Sequence, residues 1–327
     1  MDILTSSTGS YPRICTHTES QQHRQACASL ESGVISDAEF GRIEDEVTKE
    51  VIKEQVDAGL DFITDGLVRW QDPISHLSRR LNGCEINGLL RFFDSNFYFR
   101  QPIIKDRISR RESILKREFI FAKSVSPKPV KAVVTGPYTL AKLSINRRDI
   151  DLKMIVEEFT EVIAKEIAEL VRAGAELVQI DEPAILKNTG DFPILKEAIE
   201  ELDAEKGRAK LALYTYFGDA VPLYEQFLEL SVDALGFDFT YSPKLEEEII
   251  RSGCSLDICL GLVDGRNTKI DEKEKVIKRL KRMLPALKGE HVYLSPSCGL
   301  GEYLPREIAY TKLQNIVAIA QEARELI

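Results

Sequence analysis

Apolar residues in this chain recur in two alternating rhythms. Short branched or aliphatic runs fall near 4–8, 61–65, 130–135, 177–181, 210–215, 234–239, 257–262 and 291–295. They have the length and composition of buried parallel strands. Between them lie stretches with helical spacing, at 36–58, 151–173, 192–203, 219–230, 244–251, 271–285 and 305–326. From Asp151 to Ala173, Ile155, Phe159, Ile163, Ile167 and Val171 recur every fourth residue, with Glu and Lys on the other face. Strands and helices in this alternation predict an α/β fold, a (β/α)8 TIM barrel. An open doubly wound sheet would want a Gly-x-Gly-x-x-Gly turn after its first strand, and none stands there.

The rhythm breaks between Trp70 and Val130. This stretch holds the aromatic run Phe92 to Phe99 and a basic segment from Arg107 to Lys123 with the look of a helix. The pattern predicts an insertion after strand two, over 71–129, with a hairpin and helices lying over the barrel mouth. Aromatic runs of this kind mostly serve packing. With no internal repeat, low-complexity segment or Gly/Ser linker, the expected organisation is a single barrel domain over 1–327.

Barrels of this class carry their chemistry on the loops after the carboxyl ends of the strands. Strand one ends in Thr8-Gly9-Ser10-Tyr11-Pro12-Arg13 and strand two in Asp65-Gly66-Leu67-Val68-Arg69-Trp70. The fourth strand, Val178-Gln179-Ile180-Asp181, delivers Asp181 and Glu182 together before Pro183 stops further pairing. Paired acids suit proton transfer, and a capping Asp at a loop start is the plainer alternative. Strand five gives Tyr214-Thr215-Tyr216-Phe217-Gly218-Asp219, and strand six gives Asp238. Strand seven gives Asp264-Gly265-Arg266-Asn267, and strand eight gives Ser297-Cys298-Gly299. Together these line a polar, carboxylate-bearing mouth.

Composition narrows the setting. A net charge of -9 over 327 residues argues against nucleic acid or an acidic membrane surface as the main partner. The start has no basic region followed by a long apolar run, and no apolar stretch reaches the length of a bilayer span. Cys15, Cys27, Cys84, Cys254, Cys259 and Cys298 are scattered without a Cys-x-x-Cys pair, as expected of reduced thiols in a cytoplasmic protein.

The ordered motifs resemble the cobalamin-independent methionine synthase family. They are Thr8-Gly9-Ser10-Tyr11-Pro12, Gln179-Ile180-Asp181-Glu182-Pro183-Ala184, Gly261-Leu262-Val263-Asp264-Gly265-Arg266-Asn267 and Ser295-Pro296-Ser297-Cys298-Gly299-Leu300. The resemblance implies a barrel that passes a methyl group to the sulfur of homocysteine. It implies Ser10 near the amino acid's carboxylate and Asp181 on its ammonium group. The family's second acid for that ammonium falls at Leu67, leaving Asp65 or Glu182 as substitutes. Trp70 and Tyr216 are candidates to stack on a pterin donor. Arg13, Asp219, Arg266 and Asn267 complete the candidate substrate-binding set.

The resemblance also implies zinc, held by a His-x-Cys pair after strand five, a Glu after strand six and a Cys after strand eight. Cys298 stands at the last position and Asp238 at the Glu position. Strand five offers either Leu213 and Thr215 or Tyr214 and Tyr216, so the metal set is incomplete. A relocated site would draw on Cys15, His17 and His76. Several motifs, among them the Tyr214 to Phe217 run, Trp70 and the Phe92 to Phe99 run, resemble the zinc-free N-terminal barrel of the family's long members. Two functions follow as expectations. One is methyl transfer to homocysteine from a folate or methyl-corrinoid donor. The other is a donor-binding or non-catalytic companion to a separate zinc-bearing subunit or corrinoid protein. A third, metal-free decarboxylation as in the wider barrel superfamily, would want Arg13, Arg69, Arg79 and Arg80 clustered at the mouth.

Overall fold

The apolar runs assemble into a parallel barrel in the computed structural model, which describes residues 1–14, 21–301 and 303–325. In chain order the strands are β1 (Asp2–Thr5), β2 (Leu81–Arg91), β3 (Tyr98–Arg110), β4 (Ala132–Thr135), β5 (Ile145–Asn146), β6 (Leu177–Asp181), β7 (Lys210–Thr215), β8 (Ala234–Asp238), β9 (Asp257–Val263) and β10 (His291–Pro296). Seven of them form one sheet in the order β1-β10-β9-β8-β7-β6-β4, every pairing parallel. The expected second strand closes the ring as two parallel bridges, Ser6 to Phe62 and Ile63 to Val130. Its backbone bonds run both ways: Phe62 N–H donates to Thr5 at 3.0 Å, and Lys131 N–H donates to Ile63 at 2.8 Å.

The helices are α1 (Gln22–Glu31), α2 (Asp37–Asp57), α3 (Ser75–Ser78), α4 (Lys116–Val125), α5 (Pro137–Lys142), α6 (Leu152–Arg172), α7 (Phe192–Glu205), α8 (Tyr224–Phe227), α9 (Leu245–Ser252), α10 (Lys273–Met283) and α11 (Arg306–Arg324). Asp151 caps α6 by accepting from Met154 N–H at 2.9 Å. The helix expected over 219–230 is shorter. It is a 3-10 turn at Val221–Leu223 followed by α8, because Asp219 caps the turn and Pro222 opens it. Among the described residues no helix is long and apolar enough to cross a membrane.

Each barrel strand faces two ways, as its pleat requires. Leu177, Ala212, Tyr214, Ala234, Cys259 and Tyr293 pack together inside the ring, with Leu4 and Phe62 at their edge. Val178, Ile180, Leu211, Leu213, Leu235, Ile258 and Leu260 belong to the larger core shared with the helices. The interior alternates large and small. Tyr214 stands opposite Gly236, where a Cβ would lie 2.6 Å from the Tyr214 ring.

The insertion is built around β2 and β3, an antiparallel hairpin extended by β5. Arg107 to Arg110, expected to be helical, continue β3, and the helix begins only at Lys116. Buried Ile104 and Ile108 hold this strand down, and Gly83 sits at φ 78° where a Cβ would meet the Arg107 carbonyl at 2.5 Å. Glu166 of α6 anchors the segment after it, accepting from Ile114 and Leu115 N–H at 3.0 Å and pairing with Arg110 at 2.6 Å.

Filling the interior at Gly236 should therefore unsettle the barrel. Gly236→Val is expected to destabilise the fold by about 1–3 kcal/mol through overpacking against Tyr214. Urea unfolding measures it, and a wild-type midpoint in the variant would contradict the interior packing.

Candidate functional site

The last inward residue of β6 is Asp181, and it opens into a cavity at the carboxyl ends of the barrel strands, with about 550 Å³ of empty space counted out into open solvent. Trp70, Phe92, Phe97, Tyr216 and Phe217 wall the cavity, and Ser10, Arg13 and Gly299 line it from the first and last strand ends. Asp181 is 9% exposed. Its Oδ1 accepts from Gln179 Nε2 at 2.6 Å, and its Oδ2 accepts from the Tyr216 hydroxyl at 3.1 Å. The same Gln179 amide donates to the Thr8 carbonyl at 2.7 Å, tying the floor of the cavity to strand one. Burial pushes the Asp181 pKa up to about 7, against the opposite pull of Gln179, Lys131 and Tyr216. A carboxyl poised there is tipped into its ionised form by any cation placed against it.

Lys131 enters the barrel interior beneath this floor. Its ammonium donates to the Ser7 carbonyl at 2.6 Å and lies 4.6 Å from the centre of the Tyr214 ring. Burial pushes its pKa down to about 8.

The other acids named from the sequence do different work. Glu182 is fully buried and turned away from the cavity, accepting from Tyr138 and Thr139 N–H at 2.9 and 2.7 Å. Gly136 must lack a side chain there, since a Cβ would lie 2.2 Å from the Glu182 carboxyl. Asp65 accepts from Leu67 N–H at 3.0 Å and faces a smaller cavity that it shares with Trp70 and Glu118. That turn places Leu67 at φ 50°, and Leu67 lines the main cavity where the family resemblance would have an acid. The acid that does line it from this loop is Asp72, which the sequence reading did not single out. Asp72 accepts from Ile74, Ser75 and Arg100 N–H at 3.0, 2.6 and 3.2 Å, joining the loop to β3. Its signal in the sequence is a capping Asp shortly before a helix.

Phe217, also not singled out, is the hub of the mouth. It stands at φ 63°, and its ring meets those of Phe92, Phe93, Tyr216, Tyr241 and Tyr303. Asp238 supports it from below, accepting from Phe217 N–H at 3.4 Å and from Thr240 N–H at 2.8 Å. Arg266 reaches the Thr240 hydroxyl and covers the Tyr241 ring at 4.1 Å. Asn267 and Asp219 are exposed, the first donating to Asp264 and the second capping its own turn. Ser10, Arg13, Trp70, Asp181 and Tyr216 thus come together in the cavity. Asp65, Glu182, Asp219, Arg266 and Asn267 lie outside its lining.

The strand register also decides which strand-five residues face inward: Tyr214 joins the barrel interior, Tyr216 lines the cavity, and Leu213 joins the outer core. Phenols thus hold both positions, the Asp238 carboxylate is committed to backbone N–H groups, and Cys298 is fully buried. This donor set does not fit tetrahedral zinc. Among the described residues no three His, Cys, Asp or Glu side chains converge as metal ligands. Cys15 and His17 lie outside the described residues, and His76 is buried against Trp70.

A closed parallel barrel with an aromatic cavity and a carboxyl floor at its carboxyl end defines a TIM-barrel protein, its cavity at the face where such barrels carry their chemistry. The chain belongs to the cobalamin-independent methionine synthase family: residues 3–322 match the model of the cobalamin-independent synthase catalytic domain. It is 33% identical over 326 residues to a methionine synthase of Saccharolobus solfataricus, covering 99% of this chain and 95% of that one. It is 32% identical over 329 residues to one from Sulfurisphaera tokodaii, covering 99% and 93%. In fold it resembles a B12-independent methionine synthase from a Shewanella species solved with selenomethionine, at a TM-score of 0.80 and 20% identity, covering 100% and 99%. A methyltransferase from Methanosarcina mazei superposes at 0.64 with 16% identity, covering 97% and 94%.

The Asp181 environment has a signature in stability. The unfolded carboxyl loses its proton near 3.8 and the folded one near 7, so the folded state binds the extra proton between those values. The stabilisation is complete below the lower value and is lost as pH rises through the upper one. Asp181→Asn should therefore lose less stability than wild type between about pH 5 and 8. Urea unfolding at both pH values checks this, and parallel curves would refute the assignment.

Proposed function

We propose that the mouth cavity binds homocysteine and that the chain serves methyl transfer to its sulfur from a methyl-folate or methyl-corrinoid donor. The observation that carries this reading is Asp181, a buried carboxyl at the floor of an aromatic cavity. Such a group is matched to an ammonium ion, which supplies the charge that burial otherwise disfavours. In this reading Gln179 and Tyr216 hold the carboxylate in place, while Ser10 and Arg13 receive the amino acid's carboxylate. Trp70 and Tyr216 offer flat apolar faces to a pterin, and Phe92, Phe97 and Phe217 exclude water from the sulfur. The family's zinc presents the sulfur as a thiolate, but the donors present here do not fit that ion and no step is assigned to it.

That misfit favours a second reading, in which the barrel is a companion that binds the amino acid or the methyl donor beside a separate zinc-bearing subunit. The specific observation is the pair of inward phenols, Tyr214 and Tyr216. A cytoplasmic setting accords with either reading.

Calorimetry with homocysteine and methionine tests the shared part. Ligand binding should release a proton below about pH 7, with affinity falling about tenfold per pH unit on the acid side. Asp181→Asn should weaken binding at pH 8 by about tenfold or more and remove that slope. Equal affinity in the variant would sink the reading. Methionine formation by the chain alone, from methyl-folate or methylcobalamin, supports the first function. Formation only with an added zinc-bearing synthase supports the second, and neither outcome with either donor rejects both.

A further inference from the structure

Trp70, the single tryptophan of the chain, is tied to two ionisable side chains that the proposed reaction leaves unused. Its indole lines the mouth cavity and stacks on the His76 imidazole, with ring centres 4.9 Å apart and planes 14° from parallel. The indole Nε1–H donates to Glu118 Oε2 at 3.1 Å, and His76 Nε2 lies 3.1 Å from Glu118 Oε1. All three residues are buried. The indole, the imidazole and the carboxylate therefore close a triangle, with one edge on the ligand cavity.

The triangle also has a second outlet. His76 and Glu118 line a wide groove on the flank of the barrel, together with Arg79, Arg80 and Arg117. Asp65, Leu67, Trp70 and Glu118 also line a smaller cavity. Burial pushes the Glu118 carboxyl upward, but His76, Arg80 and Arg69 outweigh it and hold the group below the usual carboxylate range. Arg80 approaches to 3.7 Å, and the acids facing Glu118 are Asp65 and Glu44. An ionised Glu118 makes the indole bond a charge-assisted one, which fixes the plane of the ring more firmly than a neutral acceptor would.

We propose that His76 and Glu118 are positioning residues for the mouth cavity, holding the Trp70 indole as its wall: Glu118 fixes the ring's edge through Nε1–H, and His76 fixes its face by stacking. Removing either partner frees one of the two constraints on the ring. The inference rests on the amino-acid reading of the cavity only for its binding arm.

Because Trp70 is the chain's one indole, its fluorescence reports the wall directly. Emission anisotropy and acrylamide quenching of the full chain are compared in wild type, His76→Ala, His76→Phe and Glu118→Gln, with thermal melts as a folding control. His76→Ala and Glu118→Gln should lower the anisotropy and raise the quenching, and His76→Phe, which keeps an aromatic ring beside the indole, should restore the wild-type values. Glu118→Gln should also weaken methionine binding by about tenfold while remaining folded. Wild-type anisotropy and quenching in His76→Ala and Glu118→Gln would overturn the proposal, as would wild-type affinity in both variants. If wild type binds no amino acid, the cavity reading falls, and the emission measurements alone decide whether His76 and Glu118 set the indole.

Discussion

Asp181 and Glu182 are neighbours in the chain, and the pleat at the end of β6 sends them to opposite sides of the barrel wall. That separation is the constraint on which the mouth depends. Glu182 turns outward and receives the first free N–H groups of α5, so the loop after β4 is held by an acid from the next strand. Asp181 turns inward and remains available at the cavity floor. A one-residue slip of β6 would exchange them, burying a carboxylate without donors on one side and leaving α5 uncapped on the other. The close approach at Gly136 keeps the register from relaxing.

The cavity walls follow a similar economy, in which polar groups at strand ends hold aromatic ones. Asp238 accepts backbone N–H groups from Phe217 and from Thr240, and Phe217 in turn packs against rings from the hairpin tip and from the β10 end. Its positive φ is tolerated because that carboxylate and those rings surround it. The same carboxylate is thereby used to hold the mouth's backbone, while phenols at Tyr214 and Tyr216 occupy the inward positions of the neighbouring strand.

Much of the barrel was legible because short continuous apolar runs and helical spacing are local signals: β6 to β10 and the long helices α2 and α6 fall where the pattern puts them. The second strand shrinks to two bridges and Arg107 to Arg110 form a strand, since pairing partners far along the chain decided both. At the site, strand ends identified Asp181, Ser10 and Tyr216 as a group, but not the fates of Asp65, Glu182 and Asp238. Those three are acids whose lone pairs are taken by backbone N–H groups, and a sequence does not display which amides lie within reach. Asp72 was overlooked for the complementary reason: it caps a short helix, and only the return of β3 brings it to the cavity.

The interior charge below the cavity gives Asp181 its character. Lys131 is buried against the Ser7 carbonyl and the Tyr214 ring, and burial drives its pKa down while driving that of Asp181 up. Each group therefore approaches neutrality from its own side, and each lessens the other's shift. An unliganded barrel can thus hold both without a fully uncompensated charge in its core. In the proposed reading a ligand ammonium changes that balance, because it competes with Lys131 for the same carboxylate while drawing the proton from it. Lys131 also donates to the Ser7 carbonyl, so the ammonium that faces Asp181 is tied to the end of the first strand.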